Sequence, residues 1–270
     1  MSAAKTDSFP YTSIVLTGGS SGIGKSFLKH MENQYPNVRI CNLSRRSPEG
    51  FSAQLKLRHI TTDLSDSTSR QASIAEVLDF LRSDESAGSI LLINNAGLGS
   101  YGEFHKSNAA KQREVIEVNL NAVIDLTSAL LPLLEERGGV VMNIASVTAF
   151  QPTPYIATYG ATKAFLLQWG YSLGHELKDT GVRILTVCPG STDTAFHSRA
   201  GMAIRGPLSR FAQTPDQVVK EAMQALASGK SHVVTGWSNK IMTKFSTFLP
   251  SGLVTRMSGS VLSHLRADRS

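Results

Sequence analysis

Tyr159 and Lys163 stand four residues apart in Tyr-Gly-Ala-Thr-Lys, and Ser146 precedes the tyrosine by thirteen. On a helix, a four-residue step puts the phenol and the ammonium on one face, within reach of the same atom. An unperturbed phenol has a pKa of about 10 and is a weak acid–base catalyst near neutrality. A fixed cation beside it favours the phenolate and draws that pKa toward the working range. Taken alone, the pair also describes an ordinary solvated helix face, so the elements around it decide.

Those elements alternate. Short β-branched runs at 13–16, 38–43, 59–62, 89–94, 139–144, 182–187 and 232–235 are separated by helical stretches, the pattern of repeated βαβ units and a parallel sheet. The helices are expected from Gly22 to about residue 35, over 74–81, 111–136, 158–178 and 216–227. Thr214-Pro-Asp-Gln reads as a helix start, with Thr as N-cap, Pro in the first turn and Asp near the positive end. Ser146 falls just past the fifth strand, and Tyr159 and Lys163 lie near the start of the following helix. No repeat or linker interrupts the chain, so residues 1–270 are expected to form one domain behind an N-terminal tail over 1–12.

The first strand runs straight into Thr17-Gly-Gly-Ser-Ser-Gly-Ile-Gly24 with a helix behind it. Glycines allow the tight turn and let a pyrophosphate approach the backbone, while the helix N-terminus attracts the anion. Strand before and helix after turn a weak glycine pattern into a strong dinucleotide signal. The expected fold is therefore α/β: a Rossmann-type, doubly wound, seven-stranded parallel sheet with helices on both faces and a C-terminal amphipathic helical extension. An NAD site usually holds a carboxylate at the end of the second strand. Here Ser44 occupies that place and Arg45 and Arg46 follow, with no acid before Glu49. A guanidinium pair suits a 2′-phosphate, so NADP(H) is favoured over NAD(H).

The Thr-Gly-x-x-x-Gly-x-Gly turn and the Ser…Tyr-x-x-x-Lys triplet together resemble the short-chain dehydrogenase/reductases of the classical-size type. The resemblance runs from Ser13 to about Gly236 and includes Asn94-Asn-Ala-Gly97, Asn119, Pro189-Gly190 and Thr194. It implies Tyr159 as general acid in reduction and base in oxidation, and Lys163 as holder of the nicotinamide ribose that lowers the phenol pKa. It implies Ser146 as hydrogen-bond donor to the substrate oxygen, and Asn119 as the residue that positions a proton-relay water. It implies cofactor contacts from Gly18, Ser20, Ser21, Gly22, Ile23 and Gly24, and from Asp63 and Leu64. Asn95, Ala96 and Gly97 are implied on the adenosine side, and Pro189, Gly190, Thr192 and Thr194 around the nicotinamide. One departure stands out: NADP-preferring members often carry a base immediately before the second motif glycine, and here that residue is Ser21. The resemblance also implies a substrate loop over 191–213 and a homodimer or homotetramer formed through the helices bearing Asn119 and Tyr159.

With 41% hydrophobic and 18% charged residues, the composition is that of a globular protein rather than a disordered one. The N-terminus lacks the apolar core of a secretory signal, and no apolar run approaches the roughly 18 residues of a membrane span. Cys41 and Cys188 sit inside strand-like runs as small buried hydrophobes, without disulfide or metal spacing; a reducing, cytoplasmic setting follows. The net charge is +6, and residues 240–270 carry five bases against one acid, with no nucleic-acid recognition motif beside them. In that stretch Ile241, Met242, Phe245, Phe248 and Leu249, then, after Pro250, Leu253, Val254, Met257, Val261, Leu262 and Leu265, recur at helical spacing. This extension, 238–267, reads as a lid over the substrate mouth, a subunit contact or a peripheral membrane contact. His197, in a loop mixing apolar and basic residues, reads as a surface residue.

The expected activity is interconversion of a carbonyl and a secondary alcohol with NADP(H), on a small-molecule, lipophilic substrate. The rivals are an NADPH-sensing regulatory protein on the same scaffold and a reductase seated on a membrane surface.

Overall fold

The computed structural model describes residues 9–203 and 212–265. Residues 204–211 of the expected substrate loop, and the part of the basic C-terminal stretch beyond residue 265, fall outside the described residues. Seven strands, β1 (Tyr11–Thr17), β2 (Arg39–Ser44), β3 (Leu57–Thr61), β4 (Ser89–Asn94), β5 (Gly139–Ile144), β6 (Val182–Cys188) and β7 (His232–Val234), form one sheet. Its order is β3-β2-β1-β4-β5-β6-β7 and every pairing is parallel. Tyr11 and Thr12 belong to β1, so the tail expected over 1–12 is shorter; Tyr11 is buried and pairs with Ser89.

Successive side chains of a strand point to opposite faces, and here both faces are apolar. Ile14 and Leu16 pack with Phe27, Leu28 and Met31 of α1 (Gly22–Gln34) and Val218, Val219 and Ala222 of α7 (Pro215–Ala227). Val15, between them, packs on the other side with Val77 and Leu81 of α2 (Ser67–Arg82) and Leu126, Leu130 and Leu134 of α4 (Ala122–Arg137). Each such side chain, fully buried, contributes roughly 1.5–3 kcal/mol relative to exposure. Thr214 caps α7 as the sequence indicates, in a reciprocal capping box with Gln217.

The helix expected over 111–136 is broken. It comprises α3 (Ala109–Ile116), one wide turn over Glu117–Asn121 in which the Ala122 N–H reaches back five residues to the Glu117 carbonyl, and α4. The whole run Ala109–Arg137 has the length and apolarity of a membrane span, which the sequence reading did not anticipate. Its Val118, Leu126, Leu130 and Leu134 are buried in the core beneath the sheet, so those apolar residues are used internally. Helix α5 (Ala157–Glu176) carries Tyr159 and Lys163.

After β6, a short helix α6 (Phe196–Arg199) forms inside the substrate loop. After β7 come α8 (Trp237–Phe248) and α9 (Ser251–Ser263), divided at Leu249-Pro250 as the apolar spacing predicts. At its end α9 turns toward the cleft: the Tyr101 hydroxyl donates to the Leu262 carbonyl at 2.6 Å and the Ala203 N–H to the Leu265 carbonyl at 2.8 Å.

Candidate active site

In an open parallel sheet, the crevice lies at the carboxyl ends of the strands, where the strand order reverses. That point is here between β1 and β4. A cleft of about 580 Å³ opens there, walled by the loops that follow β1 to β6.

Its first wall is the glycine-rich turn. Gly18, Ser20, Ser21, Gly22 and Ile23 line it. Gly18 and Gly22 take φ of +77° and +55°, backbone that favours glycine. Ser21 is the N-cap of α1, yet its side chain makes no cap hydrogen bond, leaving the helix's first N–H groups directed at the cleft. Gly24 does not line the cleft. It faces Gly18 instead, whose carbonyl oxygen would lie 2.3 Å from an added Cβ, so its glycine is required by close packing of α1 under the turn.

Arg45 and Arg46 extend from β2 into the cleft and are exposed. Ser44 is turned inward, its hydroxyl donating to the Arg46 carbonyl at 2.7 Å and accepting from Asn42 Nδ2 at 2.9 Å. Asp63 and Leu64 follow β3 in the same wall. Asp63 Oδ1 accepts from the Ser65 hydroxyl and N–H. Those bonds, with Arg45 nearby, hold its pKa below the usual carboxylate value against the opposing effect of burial. Asn95, Ala96 and Gly97 follow β4 in the cleft. Asn95 Nδ2 donates to the Thr17 carbonyl at 2.8 Å, and Thr17 Oγ1 accepts from the Ala96 N–H at 3.0 Å, so the β1 and β4 loops are cross-tied.

The chemistry-bearing residues meet at the other end. Ser146, after β5, is buried and accepts at Oγ from the Thr148 N–H at 3.2 Å. Tyr159 is half-buried beside it, and Lys163 is buried with Nζ donating to the Ile144 carbonyl at 2.7 Å. Pro189, Gly190, Thr192 and Thr194 complete this end after β6. Burial pushes the Tyr159 phenol up to about 12, and the hydrogen bond with Ser146 offsets this only in part. Burial pushes the Lys163 ammonium down to about 8. The lowering of the phenol by Lys163 that the resemblance implies is thus not what the structure shows. The ammonium lies 5.7 Å from the phenol ring centre, committed to the β5 carbonyl, and burial is the largest influence on the phenol.

Asn119 is fully buried behind the cleft rather than lining it. Its Oδ1 accepts from the Leu98 N–H at 2.8 Å, while Nδ2 donates to the Leu98 carbonyl and Thr162 Oγ1, both at 3.0 Å. Its amide therefore clamps the β4 loop onto α5, and the wide turn at 117–121 is what aims it there. An added Cβ on Gly97 would meet Lys163 Nζ at 3.5 Å and Asn119 Oδ1 at 3.6 Å; the clamp and the ammonium are neighbours.

Several residues of the substrate loop expected over 191–213 line the cleft, among them His197, which the sequence places on the surface. His197 is half-buried in the cleft wall, edge-on to Phe196, with its pKa lowered by burial against the raising effect of Asp193. Phe196 packs on the Tyr159 ring with centres 5.3 Å apart. Ile156, Ala200, Met202, Tyr101 and Leu262 cluster around them, so the space beside the phenol is apolar. Arg199 reaches across to the glycine-rich turn, its Nη2 donating to Ser21 Oγ at 3.3 Å. This stretch reads from the sequence only as a loop; the helix over 196–199 is held at its start by the Phe196 N–H donating to Thr194 Oγ1 and the Arg199 N–H to the Ala195 carbonyl.

A model of the short chain dehydrogenase family matches residues 12–203. The chain belongs to that family. A ketoacyl reductase of Nostoc sp. is 29% identical over 234 residues, spanning 82% of this chain and 77% of that protein. A serine 3-dehydrogenase of Rhizobium radiobacter is 30% identical over 188 residues, 68% of this chain and 73% of the other. Among solved structures, a short chain dehydrogenase from Burkholderia cenocepacia in complex with NADP superposes with a TM-score of 0.75 at 22% identity. It covers 92% of this chain, which covers 97% of it. As a member of the short chain dehydrogenases, this protein is an oxidoreductase built to use a nicotinamide cofactor. The fit is visible in its own residues: paired positive-φ glycines, an uncapped helix N-terminus and a cleft walled by the loops expected to hold a dinucleotide.

Proposed function

We propose that this chain is an NADP(H)-dependent carbonyl reductase, reversibly an alcohol dehydrogenase, acting on a lipophilic substrate from a single catalytic domain. The observation that carries the proposal is the phenol of Tyr159, hydrogen-bonded to Ser146, beside an apolar chamber of Ile156, Phe196, Met202 and Leu262. When bound, the nicotinamide supplies the hydride; the chain supplies placement and the proton. Ser146 donates to the carbonyl oxygen and stabilises the charge growing there. Tyr159, protonated at neutral pH, gives its proton to that oxygen. Lys163 keeps a cation beside the site, and Asn119 fixes the Leu98 backbone that walls it. Pro189, Gly190, Thr192 and Thr194 bound the nicotinamide end, with Asp63, Leu64 and Asn95 to Gly97 at the adenosine end.

Preference for the 2′-phosphate is supported by Arg45 and Arg46, exposed at the cleft rim where a carboxylate would otherwise take a ribose hydroxyl. The test is steady-state turnover with NADPH and NADH against chain-length series of ketones, aldehydes and 3-ketoacyl thioesters. Expected is a kcat/KM at least tenfold higher with NADPH and rising with alkyl length. Equal rates with NADH overturn the cofactor part, and activity confined to small polar sugars overturns the lipophilic part. Tyr159→Phe is expected to lower kcat by about 10²–10⁴-fold with NADPH affinity unchanged; a variant as active as wild type supports an NADPH-sensing protein instead.

A second reading rests on the outward side of the C-terminal helices. Thr243, Val254, Ser258 and Leu265 face inward, while Trp237, Ile241, Phe245, Phe248, Leu253 and Met257 are exposed, Phe248 by 81%. With Lys244 and Arg256 alongside, this is the composition of a helix pair seated on an anionic lipid surface at the cytoplasmic side. The lid and the surface contact are then two faces of one element. Co-sedimentation with phosphatidylserine vesicles is expected for wild type and lost in Phe245→Glu/Phe248→Glu; equal pelleting of both sinks it. Exposed Ile124, Phe165 and Tyr171 on α4 and α5 support a homodimer or homotetramer through those helices, read by light scattering.

A further inference from the structure

Arg199 has no part in the catalytic proposal, yet its position is unusual. It sits at the end of α6 in the substrate loop, and its guanidinium spans the cleft to Ser21, the N-cap of α1, whose side chain makes no cap hydrogen bond. There it joins Arg45 and Arg46: burial lowers its pKa, and the two other guanidiniums lower it further. Among the described residues no carboxylate is within ion-pair distance of any of the three. Three like charges converging with no carboxylate in ion-pair contact repel one another, Asp63 acting on Arg45 only from beyond that distance. A dianionic phosphate relieves that repulsion through charge-assisted, forked hydrogen bonds.

The same short helix also reaches the reaction end of the cleft. Phe196 packs on the Tyr159 ring, and Ala200 and Met202 enter the apolar cluster with Ile156. Arg199 and Phe196, three residues apart, share one face of this turn, the arginine reaching the glycine-rich turn and the phenylalanine the catalytic phenol.

We infer that Arg199 is a third ligand of the cofactor 2′-phosphate, supplied by the substrate loop, so that binding the phosphorylated dinucleotide fastens α6 over the substrate chamber. This rests on the NADP(H) reading above and adds to it: the same contact that selects the cofactor also closes the substrate site. NADH, lacking the phosphate, leaves α6 without that tether.

The test reads binding and loop order rather than turnover. Dissociation constants for NADPH and NADH are measured by calorimetry on wild type, Arg199→Ala, Arg199→Lys and Arg45→Ala/Arg46→Ala. Amide exchange is followed at 196–202 with each dinucleotide. For Arg199→Ala the expected result is tenfold or more weaker NADPH binding, unchanged NADH binding, and loss of the extra protection that NADPH gives 196–202. Arg199→Lys is expected between the two. Ser21→Arg placed in the Arg199→Ala protein returns a cation to the turn but not to the loop; NADPH affinity should recover while protection does not. If wild type binds both dinucleotides equally, the NADP(H) reading and this inference fall together. If wild type prefers NADPH and only Arg45→Ala/Arg46→Ala removes that preference, the inference alone falls. NADPH protecting 196–202 equally in wild type and Arg199→Ala also overturns it.

Discussion

Burial acts on Tyr159 and Lys163 with opposite signs because their charged forms are opposite: it raises the phenol to about 12 and lowers the ammonium to about 8. At pH 7 the phenol is therefore neutral and the amine charged, the protonation state suited to reduction. The sign of the pH dependence follows. Reduction needs the phenol proton, held below about 12, and the Lys163 charge, held below about 8. It should be flat through neutrality and decline above pH 8. Oxidation needs the phenolate and should climb with pH. Initial-rate profiles in both directions check this, and a reductive rate rising above pH 8 would contradict it. The identities of Ser146, Tyr159 and Lys163 were legible from type and spacing. The direction of the phenol's shift was not, because it depends on Nζ turning to the Ile144 carbonyl and on how much water the fold removes.

At the scale of elements, alternation of β-branched runs and amphipathic stretches located every strand, since burial on both faces of a parallel sheet writes a near-continuous apolar run. What it did not show is the change of helical register at 117–121, where one extra residue per turn leaves the apolar pattern nearly unchanged while re-aiming Asn119. Asn119→Ala would leave the half-buried Leu98 N–H and carbonyl without their partners, at a cost of about 1–3 kcal/mol. The Leu98 wall should loosen, raising KM more than Tyr159→Phe does; urea unfolding and kinetics together read both effects. Gly160 makes a parallel case. An added Cβ there would lie 1.9 Å from Thr153 Oγ1 and 3.2 Å from its Cβ, so rotating the hydroxyl aside still leaves a tight contact. Gly160→Ala is expected to lose about 1–3 kcal/mol and to shift Tyr159 next to it. A variant with wild-type melting and kcat would show that the α5 N-terminus yields freely.

Across the whole molecule the two ends of the sheet do different work. The carboxyl ends carry the cleft, and the amino ends are tied together by Asp84, whose side chain is 5% exposed. It accepts from Thr12 Oγ1 at 2.8 Å, Ser13 Oγ at 2.9 Å and the Ser86 hydroxyl at 2.6 Å, with Arg39 at 3.6 Å. Burial alone would raise its pKa, but the hydrogen bonds from Ser86, Thr12 and Ser13 outweigh it and hold it at about 2. A folded pKa below the unfolded value of about 3.9 means stability that is fully present above about pH 4 and lost as pH falls through 2. That contribution is about 2–3 kcal/mol. Nothing in the local sequence marks Asp84, because Thr12 and Ser13, the partners that tie it to β1, lie some seventy residues away. Asp84→Asn should therefore be less stable than wild type at pH 7 by that amount in urea titrations, with the gap closing toward pH 2. Its kcat and KM should be unchanged, since no atom of this knot reaches the cleft. A stability gap that stays constant from pH 7 to pH 2 would mean that the carboxylate's charge contributes nothing and that the loss is one of packing.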